Sequence, residues 1–311
     1  MEFGRVPVKE LNKINFRLPK EPVANAEVLS STVITKKARK LNPPKIHVGC
    51  AKWGRTEWVG KIYPSGTKEK DFLQHYVKHY NSIELNATHY KVYGPTAIRK
   101  WGEKAKDLDF VFCPKMYKGI THYGNFSSKR FITNEFLRGI RAFGTQLGPT
   151  FIQVNELFTP KRKSELFSFL ETLPEDLSFF LEVRHPEWFA NKTERADLFT
   201  FLKEHNIGAV ITDTAGRRDC AHMHLTSPRA FIRYVGNSLH PTDYKRTDSW
   251  VRRIKYWLDH GLEELYFFMH MHDEAKSPEL TIYLVEKLNK QCGLNLLVPE
   301  FSKETPKKKR K

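Results

Sequence analysis

Two short stretches carry ionisable side chains where a buried strand would be oily: SIELN at 82–86 and FFLEVR at 179–184. In extended backbone side chains alternate faces, so Glu84 shares a face with Asn86 and Glu182 with Arg184, while Ile83, Leu85, Leu181 and Val183 take the other. An unpaired buried carboxylate costs several kcal/mol as a rough figure, so such groups must be paired, solvated at a pocket mouth, or used in chemistry. Two uses fit. Glu84 and Glu182 act as acid and base across a cavity, one pKa raised by its neighbour or by burial. Alternatively they form a salt-bridged network with Lys115, Arg184 and Arg233 that fixes the shape of the interior.

Lys115, Arg184 and Arg233 would together hold a phosphate, sulfate or carboxylate, and an arginine grips two oxygens at once. His122, in GITHYGNF, is placed to donate to the same anion or to shuttle a proton. The expected catalytic set is therefore Glu84, Glu182, Asp213 and His122. Asn86, Lys115, Gln153, Arg184, Trp188, Arg233, His270 and His272 are expected to touch substrate. A pair of carboxylates also suits glycoside hydrolysis, although the sequence gives no separation between them. His270 and His272 stand two apart, as do His222 and His224, and imidazoles beside Glu84, Glu182 or Asp213 would suit a divalent metal. The surrounding cations favour an anion instead, so the expectation is a site with no resident metal or cofactor. Trp53, Trp58, Tyr63, Tyr90 and Tyr93 either stack on a sugar or base or pack the loops. The chain has no dinucleotide, Walker, G-x-S-x-G or H-E-x-x-H motif.

Eight β-rich runs must position these groups: 46–50, 82–86, 109–113, 150–154, 178–183, 207–212, 230–235 and 264–270. Helical patterns separate them, among them 68–80, where Phe72, Tyr76 and Tyr80 form one stripe, and 277–293, opened by Ser277 and stopped by Gly293. Eight strand–helix repeats in roughly 250 residues have the rhythm of a (β/α)8 barrel, so the fold class is α/β, an irregular TIM-like barrel. A doubly wound open sheet is the alternative. The irregularity falls at 213–229, which reads as loop rather than helix. In such barrels the working groups sit at the C-terminal ends of the strands, where nearly every run here ends in a polar residue.

Residues 1–45 read as an extended N-terminal arm, 46–302 as the barrel, and 303–311 as a disordered basic tail. The net charge of +17 divides into about +6 on the arm, +5 on the tail and +6 on the barrel. Basic tails allow contact with nucleic acid through counterion release, and PKKKRK matches a nuclear-import type of cluster. Cys50, Cys113, Cys220 and Cys292 show no metal-ligand spacing and suit free thiols. No signal peptide or spanning helix is evident, which predicts a cytoplasmic protein without membrane contact.

The segments VGCAKWGRTEWVGKIYP, YNSIELNATHYKVY, FVFCPKMYKGITH, LGPTFIQV, FLEVRHPEWF, ITDTAG, FIRYVGN and YFFMHMHDEA are together similar to the YecE-like family, domain of unknown function 72, over about 46–290. That resemblance implies a TIM-barrel-like fold and little about reaction. Two places depart from it. Members carry an FQLPP-like turn after strand four, where this chain has Gln153, Val154, Asn155 and Glu156. They carry paired asparagines at strand eight, where this chain has MHMHD. Three functions remain open: an acid/base enzyme on a phosphorylated sugar or nucleic-acid fragment, a non-catalytic nucleic-acid or ligand-binding barrel, and a metal-dependent phosphodiesterase resembling apurinic-site endonucleases.

Overall fold

A computed structural model describes residues 3–30, 33, 35 and 41–302. Its eight parallel strands are β1 (Lys45–Cys50), β2 (Ser82–Leu85), β3 (Val111–Pro114), β4 (Thr150–Gln153), β5 (Phe179–Glu182), β6 (Gly208–Asp213), β7 (Arg229–Gly236) and β8 (Glu264–Met271). They pair in the order β3-β2-β1-β8-β7-β6-β5-β4. Closure between β3 and β4 is thin: Gly148 N–H donates to Phe112 O at 2.8 Å and Met116 N–H to Phe151 O at 3.0 Å, with no continuous ladder. The chain is thus an α/β TIM-like barrel, nearly closed, as the strand rhythm predicts.

The principal helices are α1 (Phe72–Tyr76), α2 (Pro95–Gly102), α3 (Arg130–Ile140), α4 (Lys163–Glu171), α5 (Lys192–Glu204), α6 (Pro241–Asp259) and α7 (Ser277–Cys292). They follow β1, β2, β3, β4, β5, β7 and β8 respectively. The helix expected over 68–80 shrinks to one and a half turns, and α6 starts at Pro241, a proline at its first turn whose missing N–H needs no partner there. After β6 comes only a 3₁₀ turn, Arg218–Cys220.

Side-chain alternation splits the strands cleanly. Outward residues such as Ile83, Phe112, Ile211 and Phe267 meet the helices in two large apolar clusters. Inward residues Cys113, Phe151, Phe180, Val210, Phe231, Tyr266 and Phe268 fill the barrel with an aromatic layer. The next inward residues up are Glu84, Lys115, Gln153, Glu182, Thr212, Arg233 and His270, all buried. The oily layer is therefore the floor on which the charged layer rests; Arg233 and Lys115 lie 5.2 and 5.6 Å from the Phe151 ring centre.

Residues 3–30 are not a free arm. They run over the barrel as extended backbone and two 3₁₀ turns, Val8–Lys13 and Val23–Glu27. The Asn25 side chain, 1% exposed, donates to Met223 O at 2.9 Å and accepts from Leu225 N–H at 2.8 Å. Glu21 accepts from Arg253 at 2.7 Å and from Trp257 Nε1 at 2.9 Å on α6. The arm thus covers the connection that lacks a helix. The basic tail at 303–311 lies outside the described residues. Asn25→Ala would strand one buried carbonyl and one buried N–H, so urea unfolding should show a loss of about 1–3 kcal/mol; an unchanged midpoint would mean that the arm's docking contributes nothing.

Candidate functional site

Each group at the C-terminal mouth is held by strand register. Glu84 is two residues above Ser82 on the inward face of β2, Glu182 two above Phe180 on β5, and Arg233 two above Phe231 on β7. Arg233 joins the two carboxylates. Its Nε and Nη2 donate to Glu84 Oε2 and Oε1, both at 2.8 Å, and its Nη1 donates to Glu182 Oε2 at 2.8 Å. Asn86 Nδ2 donates to Glu84 Oε1 at 2.8 Å, and His270 Nε2 lies 2.9 Å from Glu84 Oε2. Glu182 Oε1 accepts from Arg184 Nε at 2.8 Å and Thr212 Oγ1 at 2.9 Å.

These donors favour the charged form of both acids. Burial alone would raise the Glu84 carboxyl, but Arg233 and His270 hold it well below the usual range. Burial opposes Arg184, Arg233 and Lys115 in the same way at Glu182, and the cations bring it down to about 2. Neither carboxyl is pushed upward as a general acid would be, and each oxygen of both accepts at least one hydrogen bond. They form the salt-bridged network.

The groups left to move protons lie beside that network. Lys115, at the end of β3 and 7% exposed, donates to Gln153 Oε1 at 2.8 Å. Burial, then Arg233, lowers its amine from 10.5 to about 7 against the pull of Glu182. Gln153 Nε2 in turn faces His122 Nε2 at 3.5 Å, and His122 Nδ1 lies 2.8 Å from Thr121 Oγ1. Burial and Lys115 lower His122 to about 4, so it is neutral at pH 7. His122 stands edge-on to His89, ring centres 4.9 Å apart, and His89 Nδ1 lies 2.8 Å from Met116 O.

Three expected members lie elsewhere. Asp213 is one residue past the inward Thr212 and so points out of the barrel, where it meets Arg246 at 3.0 Å, Trp250 Nε1 at 2.6 Å and Arg218. It fastens β6 to α6 and does not complete the mouth. Trp188 is fully buried among the helices and donates to Phe158 O at 2.9 Å, so its ring packs the core instead of facing substrate. His272 lies past the end of β8, where its N–H donates to Gly236 O at 3.2 Å. The His222 and His224 rings stack on Phe189 and Phe199 outside the barrel, away from His270. Among the described residues no group of three or more His, Cys, Asp or Glu is disposed to hold a metal, and the mouth's cations oppose one. The two histidine pairs do not converge, since His222 and His224 pack on Phe189 and Phe199 while His270 sits in the mouth beside Glu84.

Thr212 and Phe3 belong to the site without having been expected there, and Glu156, one of the departures after strand four, joins it. Thr212 was legible from alternation on β6. Glu156 takes Arg184 Nη1 at 3.2 Å from the loop after β4. The Phe3 ring covers Arg184, 3.9 Å from the guanidinium carbon, a long-range contact with no local signature.

A family model described as protein of unknown function DUF72 matches residues 47–306. The chain belongs to the DUF72 family. YecE of Escherichia coli K12, a UPF0759 protein, is 28% identical over 278 residues, which span 83% of this chain and 98% of that one. YunF of Bacillus subtilis, also UPF0759, is 25% identical over 152 residues, 47% of this chain and 52% of the relative. Among solved structures, a DUF72 protein from Enterococcus faecalis superposes with a TM-score of 0.63 at 16% identity, covering 82% of this chain and all of that one. One from Thermotoga maritima gives 0.59 at 20% identity, with 79% and 99% covered. These likenesses carry the fold. No helix among the described residues is long and apolar enough to cross a membrane.

The charge network generates a stability prediction. Arg233→Met leaves two buried carboxylates facing one another, and chemical denaturation should show a loss of about 3–5 kcal/mol. The sign with pH follows from the lowered carboxyls: the contribution of Glu182 is present above the unfolded value of 4.5 and disappears as pH falls through about 2, and that of Glu84, lowered well below its usual range, is lost in the same direction. Arg233→Met should therefore lose part of the wild-type acid-limb slope; an identical slope in both would contradict the assignment.

Proposed function

We propose that this DUF72 chain is a barrel enzyme that binds an anionic or polyhydroxyl substrate, of the phosphorylated-sugar or nucleic-acid-fragment class, at the C-terminal mouth. Lys115 and His122 move protons there, while Glu84, Arg233 and Glu182 supply a fixed field. The observation that carries this reading is the state of Lys115. Among the described residues no carboxylate comes within ion-pair distance of its Nζ, and the side-chain oxygen of Gln153 is its one hydrogen-bond acceptor. A buried amine with unused N–H groups beside Arg184 and Arg233 suits an incoming anion. An amine near 7 also exchanges a proton with substrate at neutral pH at little cost.

The carboxylates' contribution differs from the proton exchange expected of them. Fully hydrogen-bonded and ionised, they orient Arg233 and Arg184 and keep the mouth from accumulating uncompensated positive charge. In one turnover Lys115 would hold the substrate's anionic group while Gln153 keeps His122 in register, leaving the neutral imidazole to accept a proton from a hydroxyl.

Inorganic phosphate is the simplest probe. It should raise the thermal midpoint of the wild type at pH 6, where Lys115 is charged, and do so progressively less as pH rises through 7. Lys115→Met should weaken that response roughly tenfold or more in phosphate concentration, and His122→Asn should leave it near wild type while lowering any turnover found with phosphorylated sugars. Equal phosphate stabilisation of wild type and Lys115→Met would remove the reading.

A further inference from the structure

The loops that follow β2 and β3 have an unusual charge balance. Residues 86–102 carry Lys91, Arg99 and Lys100, residues 114–134 carry Lys115, Lys118, Lys129 and Arg130, and neither stretch holds a single Asp or Glu. In a chain with 35 acidic residues, two adjoining stretches that run from the mouth into α2 and α3 and hold no carboxylate before Glu103 and Glu135 form a local positive field. The same stretches expose two aromatic rings: Tyr90 is 66% exposed and Tyr123 59%.

These features are contiguous. Lys118 Nζ lies 5.3 Å over the Tyr90 ring. Tyr90 meets His89 edge-on with centres 5.2 Å apart, and His89 meets His122, the neighbour of Tyr123. Beyond it Arg162 Nη2 donates to Gly124 O at 3.1 Å, and a side chain built at Gly124 would stand 3.6 Å from Lys129 Nζ. A cleft of about 220 Å³ opens here, lined by His122, Gly124, Asn155, Leu157 and Arg162. The acidic groups facing the strip are already engaged, Glu165 by Arg162 and Glu156 by Arg184. The positive field is therefore not cancelled from across the cleft.

We propose that the rim formed by the β2 and β3 loops binds single-stranded nucleic acid, its phosphates along Lys91, Lys118 and Lys129 and its bases on Tyr90 and Tyr123. Cations track a phosphodiester backbone, and an unpaired base offers a face to an exposed ring, which a duplex keeps stacked inside itself. Exposed rings between cations distinguish this rim from a merely basic surface. The inference extends the anion site at the mouth along the rim and rests on that reading for its inner end, where Lys115 and His122 would meet one phosphate of the strand.

Fluorescence anisotropy of the full-length protein with a labelled oligothymidylate of about twenty nucleotides tests it, with heparin and a duplex of equal length as competitors. Tyr90→Ala with Tyr123→Ala should weaken oligothymidylate binding at least about fivefold per ring and leave heparin binding unchanged. Replacing Lys91, Lys118 and Lys129 by Ala should weaken both ligands and reduce the slope of log affinity against log salt by about 2. All five side chains project from loops or loop-proximal turns, and thermal midpoints near wild type will show that the variants fold. The inference is overturned if the oligonucleotide does not bind, if binding survives both sets of substitutions and so resides in the terminal basic segments, if only the lysines matter, or if the duplex competes as well as the single strand. Phosphate stabilisation that persists with Lys115 in any of these cases would leave the mouth's anion site standing and remove only the strand along the rim.

Discussion

Arg233 bridging Glu84 and Glu182 is the contact on which the mouth depends. It spans the barrel from β7 to β2 and β5, so three strands that are not neighbours are tied through one guanidinium. Without that cation two carboxylates would face each other above an aromatic floor, an arrangement that low polarity makes untenable. With it, the charged form of both acids is favoured, Arg184 is drawn to Glu182, His270 to Glu84, and among the described residues no carboxylate lies within ion-pair distance of Lys115. The free amine is a consequence of where the other charges are satisfied.

The same logic separates the two carboxylate sites on β6 and its neighbours. Thr212 and Asp213 are adjacent, yet one donates to Glu182 inside the barrel and the other binds Arg246 and Trp250 outside it. A polar residue at the end of a barrel strand is thus assigned to the mouth or to the helical shell by parity alone. On the far side of β6 the missing helix is replaced by the N-terminal segment, whose Asn25 satisfies the backbone of 223–225 much as a neighbouring strand would. Phe16 lies 4.8 Å over Arg246 and Phe3 over Arg184, so the segment touches both charge networks.

Much of this was legible in the sequence because it obeys local periodicity. The alternation that put Glu84 with Asn86 and Glu182 with Arg184 on one face holds in three dimensions, and all eight strands fall on the β-rich runs. Asp213 follows the run at 207–212, where position along the chain places it at the mouth and parity places it outside the barrel. An aromatic in a mouth loop looks the same in sequence whether it faces solvent or core, and Trp188 is buried. The protonation of the glutamates was not legible at all: it depends on how many donors reach each oxygen, and those come from residues as far apart as Asn86, Arg233 and His270. The docking of the N-terminal segment was hidden for a similar reason, since 3₁₀ turns and extended backbone carry no periodic signal.

Because Glu84 and Glu182 are taken up by Arg233 and Arg184, Lys115 is left as a titratable, anion-ready amine. Side-chain NMR of selectively labelled lysine, with Lys115 assigned by its loss in Lys115→Met, measures this directly. The account predicts a midpoint near 7 that moves upward when phosphate is added, because a bound anion favours the charged amine. A Lys115 midpoint at the ordinary 10.5, indifferent to phosphate, would contradict it.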